Sequence, residues 1–169
     1  MPATSRPFSV VDDPVGILNW RRLDGRVTTS GQPTEGQLEE IQKLGVTHIV
    51  NLALHSHEKA LRDERATVTA LEMTYIHIPV DFAAPTEADF DSFSEAMKAT
   101  ETCRVHVHCI VNARVSAFVY RFQRDVIGLE QRRAWALMES VWRPGGVWAA
   151  FIGNDEDTAL PHRFAGRDY

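Results

Sequence analysis

Three short runs rich in β-branched and aromatic residues recur along the chain, each one helical pattern apart: VTHIVNLAL (Val46 to Leu54), TYIHIPV (Thr74 to Val80) and RVHVHC (Arg104 to Cys109). This alternation constrains the fold more than any other feature, because strands separated by amphipathic helices pair in parallel within a layered sheet. The intervening patterns carry helix punctuation. Thr34 and Gln37 form a capping-box pair ahead of GQLEEIQKL, and Gly45 follows as the residue that ends that helix. HEKALRDERATVTALE (His57 to Glu72) reads as a second helix. Thr86 caps a third, which carries Phe90, Phe93 and Met97 on one face.

Upstream, Ile17 to Leu23 and RVTTS flank an Asp24-Gly25 turn and predict a hairpin. Downstream, helices are predicted over Val115 to Ile127, Glu130 to Val141 and Gly146 to Ile152. With no repeat or break in composition, the expected architecture is one α/β domain over residues 1–169. A central, mostly parallel sheet is flanked by helices, with residues 1–14 as a loosely held N-terminal arm.

Formal net charge is −5, so no basic field is available for nucleic acid or an anionic membrane surface, and neither is an expected partner. No apolar run is long enough to span a bilayer. The opening MPATSRPFSVVDDP lacks the apolar core of a secretory signal, and a cytoplasmic location is expected. Cys103 and Cys109 are the two cysteines. Six residues apart along one strand, they point to the same face too far apart to bond, so both are expected to be reduced thiols.

Cys109 leaves a predicted strand and enters a short turn running into a helix near Arg114. Backbone N–H groups in such a turn, with a helix N-terminus, make an anion site. A field of that kind lowers a thiol pKa from about 8.5 into the range of roughly 3.5–7.5. A guanidinium in the same segment suits phosphate oxygens. On local sequence alone the other reading stays open: a small buried cysteine capping a core strand, with an arginine exposed on the next helix. Asp81 also lies at a predicted strand end, so both residues fall on the sheet edge where ligands gather in such folds.

HC…R after VHV, followed shortly by a hydroxyl residue, resembles the signature of the cysteine-based protein tyrosine and dual-specificity phosphatases. TTSGQPTEGQLEEIQKLGVTHIVNLAL is similar to the opening of small bacterial tyrosine-phosphatase-like proteins, and IHIPVDFAAPTEADFDSFSEAM to their acid loop and next helix. The resemblance implies a metal-independent hydrolysis of phosphate monoesters, with no cofactor. Cys109 is then the nucleophile, Asp81 the general acid and base, and Arg114 with the N–H groups of Ile110, Val111, Asn112 and Ala113 the phosphate cradle. His108 supports the loop, and Ser116 donates to the departing thiolate. The implied partner is a phosphorylated protein or a small phosphate monoester.

The chain departs from that pattern in two ways. Four residues separate Cys109 from Arg114 instead of five, and Asn112 stands nearest to the usual loop glycine. Asn tolerates a left-handed backbone better than most residues. Val115 also intervenes between Arg114 and Ser116. A four-residue loop is the spacing of rhodanese-like sulfurtransferases, which makes sulfur transfer the enzymatic alternative. A catalytically weak phosphate-binding or phosphoprotein-binding module is the non-enzymatic one.

His55, His57 and Glu58 invite a metal reading, but no third ligand is spaced to join the histidines and a solvated loop is expected. Trp135, Trp142, Trp148 and Phe151 read as helix-packing aromatics, with an oligomer surface as the alternative.

Overall fold

The strand expected from RVHVHC lies at the centre of the sheet. In a computed structural model of the chain, residues 11–161 are described. Strand β5 (Val105–His108) is flanked by β2 (Val27–Ser30) and β3 (His48–Asn51), in the order β1-β2-β5-β3-β4. The edges are β1 (Arg21–Arg22), antiparallel to β2, and β4 (Thr74–His77), parallel to β3. All other pairings are parallel, so the sheet is mixed but mostly parallel, as expected. No helix among the described residues is long and apolar enough to cross a membrane.

Strand alternation sends neighbouring side chains into two separate cores. Val27, Val50, Val105 and Val107 join one, with Phe90 and Phe93 of α3 (Glu87–Ala99) and Phe118 of α4 (Ala113–Arg121). Ile49 and Tyr75 join the other, with Leu38 and Ile41 of α1 (Glu35–Lys43) and Val68 of α2 (Glu64–Ala70). Helices therefore cover both faces. Helix α4 is buried from Ala113 to Tyr120, as an apolar, centrally placed helix should be.

The expected punctuation is present. The Thr34 hydroxyl accepts from the Gln37 N–H at 3.1 Å, and the Gln37 side chain accepts from the Thr34 N–H at 2.9 Å. Thr86 and Asp89 form the same reciprocal pair at the start of α3. Gly45, at φ 88°, ends α1 in the left-handed region that glycine adopts without strain.

Several expected elements are shorter. The helix predicted over residues 57–72 forms only as α2. The Asp63 carboxylate accepts from the Ala66 N–H at 3.1 Å and starts the helix there, while His57 Nδ1 accepts from the Lys59 N–H at 3.0 Å and holds a turn. Short polar side chains bonding nearby backbone compete with the helix in this way. The Ile17–Leu23 strand shrinks to β1 because Asn19 takes φ 51°. The Val115–Ile127 helix begins at Ala113 and continues as a π-helical turn over Phe122–Ile127. Of the expected N-terminal arm, residues 1–10 lie outside the described residues, and Asp13 is ion-paired with Arg22. Helices α5 (Gln131–Glu139) and α6 (Gly146–Phe151) complete the fold. Trp142 and Trp148 are buried beside Phe82, which makes them core residues; Trp135 packs edge-on against Tyr120.

His106 is buried behind the sheet with its tautomer set by its neighbours. The Ser30 hydroxyl donates to the Gly31 carbonyl at 2.7 Å, so it accepts from His106 Nε2–H at 2.8 Å. Nδ1 then accepts from the Thr28 hydroxyl at 2.8 Å, and Trp20 stacks on the ring. Burial, reinforced by the neighbouring His108 charge, holds this imidazole well below the ordinary 6.5. Below that pH the unfolded chain takes up a proton the folded state refuses, so stability falls as pH falls. We expect the urea midpoint to drop from about pH 7 to about pH 5, and the drop to be smaller in His106→Gln.

Candidate active site

Three strand ends bring the site together. Leu52, just past β3, donates its N–H to the His108 carbonyl at 2.9 Å and accepts from the Val80 N–H at 3.1 Å. The acid-bearing loop is thereby laid beside the end of β5, across the extension of β3. On the other edge, the Cys109 N–H donates to the Ser30 carbonyl at 3.4 Å, and the Gln32 N–H to the Ile110 carbonyl at 3.0 Å. Residues 30–32 thus continue the β2–β5 pairing into the cysteine loop. The approach is close: a Cβ on Gly31 would lie 2.6 Å from the Ile110 carbonyl oxygen.

Asn112 turns the loop. It adopts φ 71° and ψ 6°, and α4 begins at the next residue. Its amide donates to the Asn19 carbonyl at 2.9 Å and to the Thr29 hydroxyl at 3.0 Å, while the Asn19 amide donates to the Val111 carbonyl at 2.9 Å. A left-handed residue followed by a helical one points successive N–H groups into one concavity. Among the described residues, the N–H groups of Ile110, Val111, Asn112 and Ala113 meet no protein acceptor. The loop is therefore a run of four unsatisfied donors opening the N-terminus of α4.

Cys109 and Arg114 both show 0% exposure. The Arg114 guanidinium donates from Nη1 to the Val80 carbonyl at 2.9 Å and lies over the Phe82 ring, with 5.5 Å between its central carbon and the ring centre. Trp148 donates from Nε1 to the Phe82 carbonyl at 2.8 Å. The residues on either side of Asp81 are thus each held by a buried side chain. Asp81 itself is exposed, and its Oδ1 accepts from the Ala83 N–H at 2.9 Å, shaping the turn.

His108 faces two acceptors. Nδ1 lies 3.1 Å from the Cys109 carbonyl and Nε2 lies 2.7 Å from Glu64 Oε2. Glu64 is 3% exposed, and its other oxygen accepts from the Gln32 amide at 2.8 Å. Burial pushes the Glu64 carboxyl up, but the His108 charge and hydrogen bond, with the Gln32 amide, outweigh it and hold the carboxyl below the ordinary 4.5. The Ser116 hydroxyl donates to the Ala113 carbonyl at 3.0 Å.

The structure sets His108 at the end of β5, Cys109 and residues 110–112 in the loop and Arg114 in the first turn of α4, and anchors the Asp81 segment there through Arg114. Asn19, Glu64 and Trp148 also build the site, although no short-range pattern announces that role; Thr29 and Gln32 build it too and lie in the quoted TTSGQPT stretch. Gly31 lies within the SGQPT segment that carried the family resemblance.

A family model described as DSP-PTPase phosphatase fused to NAD+ kinase matches residues 10–144. The chain belongs to that family. Among solved structures, a DUF442 phosphatase-type protein of Shewanella putrefaciens CN-32 is 30% identical with a TM-score of 0.69, over 81% of this chain and 88% of that one. Pseudomonas aeruginosa TpbA, solved with phosphotyrosine, is 19% identical with a TM-score of 0.60, over 72% of each chain. The catalytic core of the Saccharomyces cerevisiae PP-IP phosphatase SIW14 is 11% identical with a TM-score of 0.63, over 84% of this chain and 90% of that one. These last two share the fold. No protein with a curated description matches the chain.

Gly31→Ala tests how closely the cysteine loop depends on residues 30–32. The added methyl meets backbone, which has no rotamer to yield. We expect a loss of about 1–3 kcal/mol in urea unfolding, with weaker protection of Cys109 by phosphate against alkylation.

Proposed function

We propose that this family member is a metal-independent phosphatase that hydrolyses phosphate monoesters, phosphotyrosine or dual-specificity protein substrates, through a cysteinyl-phosphate on Cys109. The observation carrying this reading is the run of four N–H groups, Ile110 to Ala113, that meet no protein acceptor among the described residues, directly after a cysteine and before a buried arginine. Such donors are aimed at an anion, and their value is greatest away from water.

In the first step the Cys109 thiolate attacks phosphorus. The sulfur–phosphorus bond forms as the phosphorus–oxygen bond to the leaving alkoxide or phenoxide breaks. Asp81 gives that oxygen its proton. The loop N–H groups and Arg114 hold the equatorial oxygens. In the second step the Asp81 carboxylate removes a proton from water, whose oxygen attacks phosphorus and releases inorganic phosphate and the thiolate.

The four-residue spacing between Cys109 and Arg114 favours a second reading, sulfur transfer through a cysteine persulfide. Assay with p-nitrophenyl phosphate, and in parallel with thiosulfate and cyanide, separates the two. We expect phosphatase turnover that Cys109→Ser abolishes and Asp81→Asn slows by about 10²–10⁴-fold. Thiocyanate production without phosphate release would replace the phosphatase reading with sulfur transfer. Activity with neither pair, alongside phosphate protection of Cys109, would leave a binding module.

A further inference from the structure

Glu64 is a buried carboxylate on the face of the sheet opposite α4, and the proposed reaction steps do not use it. Its Oε2 lies 2.7 Å from His108 Nε2, 44 residues further along the chain, and its Oε1 accepts from the Gln32 amide at 2.8 Å. The arrangement has a directional logic. His108 Nδ1 faces the Cys109 carbonyl, an oxygen that can only accept, so Nδ1 carries a proton. Nε2 faces a carboxylate whose second oxygen is already taken by an amide donor, which favours the ionised form. Both ring nitrogens then donate, and only the imidazolium does that. Gln32 also donates its backbone N–H to the Ile110 carbonyl, so the same residue supports Glu64 and the first residue of the loop.

We propose that Glu64 is a positioning residue for the nucleophile: it keeps His108 as an imidazolium, which orients the Cys109 carbonyl and sets a positive charge one residue from the thiolate. This inference rests on the phosphatase reading of Cys109. Other groups face Glu64 from the elements around it. Tyr75 on β4 hydrogen-bonds to the Asn51 amide at 3.0 Å and to His55 Nε2 at 2.8 Å; His55 stacks on His77, and Arg65 lies over the Tyr75 ring. Tyr75 remains a neutral phenol, its ionisation pushed up by burial and by the Glu64 charge. His77 is held below the ordinary 6.5, chiefly by burial. Among the described residues, the hydrogen-bonded cationic partner of the Glu64 carboxylate on the loop side is His108.

The test uses the full chain in a Cys103→Ser background, so that one thiol remains. Glu64→Gln keeps the shape and can still accept from His108, but it removes the charge that favours the imidazolium. The rate of iodoacetamide alkylation is followed across about pH 4–9, beside the pH dependence of kcat/KM. We expect the apparent thiol pKa to rise by about one unit or more, the acid limb of kcat/KM to move with it, and Glu64→Asp to recover part of the shift. The second variant, His108→Asn, keeps a donor near the Cys109 carbonyl without the titrating ring. In that background Glu64→Gln should add nothing to the shift. An unchanged alkylation profile in Glu64→Gln, or an undiminished effect in the His108→Asn background, would overturn the proposal; a merely structural role would lower thermal stability and leave the profile in place. Because alkylation reads the thiol without turnover, a shifted profile in a chain that hydrolyses no phosphate ester would sink the phosphatase reading and leave the Glu64 role standing.

Discussion

Pairing of β5 on both edges governs everything that follows it. A strand held by β2 on one side and β3 on the other cannot slip by one residue without turning Val105 and Val107 out of one core and His106 and His108 out of their own networks. The end of that strand is therefore a fixed point, and the chain places Cys109 there. The pairing continues past the strand, through Ser30 and Gln32 on one edge and Leu52 on the other, so the loop inherits the stiffness of the sheet.

The shortened loop closes by a specific device. With four residues between cysteine and arginine, the chain must reverse into α4 quickly, and it does so at Asn112 with a positive φ. A non-glycine residue in that conformation is retained where surrounding contacts over-determine it. Here the reciprocal Asn19–Asn112 clamp and the Thr29 hydroxyl supply them. Asn19 is itself at positive φ, so two left-handed asparagines, 93 residues apart, brace the same turn.

Local chemistry was legible in the sequence and through-space chemistry was not. The capping boxes at Thr34 and Thr86, the Gly45 stop and the alternation in VHVH each act within a few residues, and each is seen in the fold. The helix expected over 57–72 failed because Asp63 captures the Ala66 N–H and His57 the Lys59 N–H, local competitors that periodicity does not register. Cys109 and Asp81 stood out as chemistry-bearing residues at strand ends, and Arg114 at the start of the helix that follows. Glu64 lies in the middle of the helix expected over 57–72 and carries no signal there, and only folding brings its carboxylate against His108. The Ser116 hydroxyl, for its part, donates within its own helix to the Ala113 carbonyl.

The bracketing of Asp81 has an entropic consequence. Val80 and Phe82 are tied through their carbonyls to Arg114 and Trp148, side chains that are themselves buried. Ordering a backbone residue costs about 1–2 kcal/mol, and here that cost falls during folding, when α4 and α6 dock, before any ligand arrives. A segment ordered in advance has little freedom left to lose, so the backbone that carries Asp81 is a fixture of the scaffold.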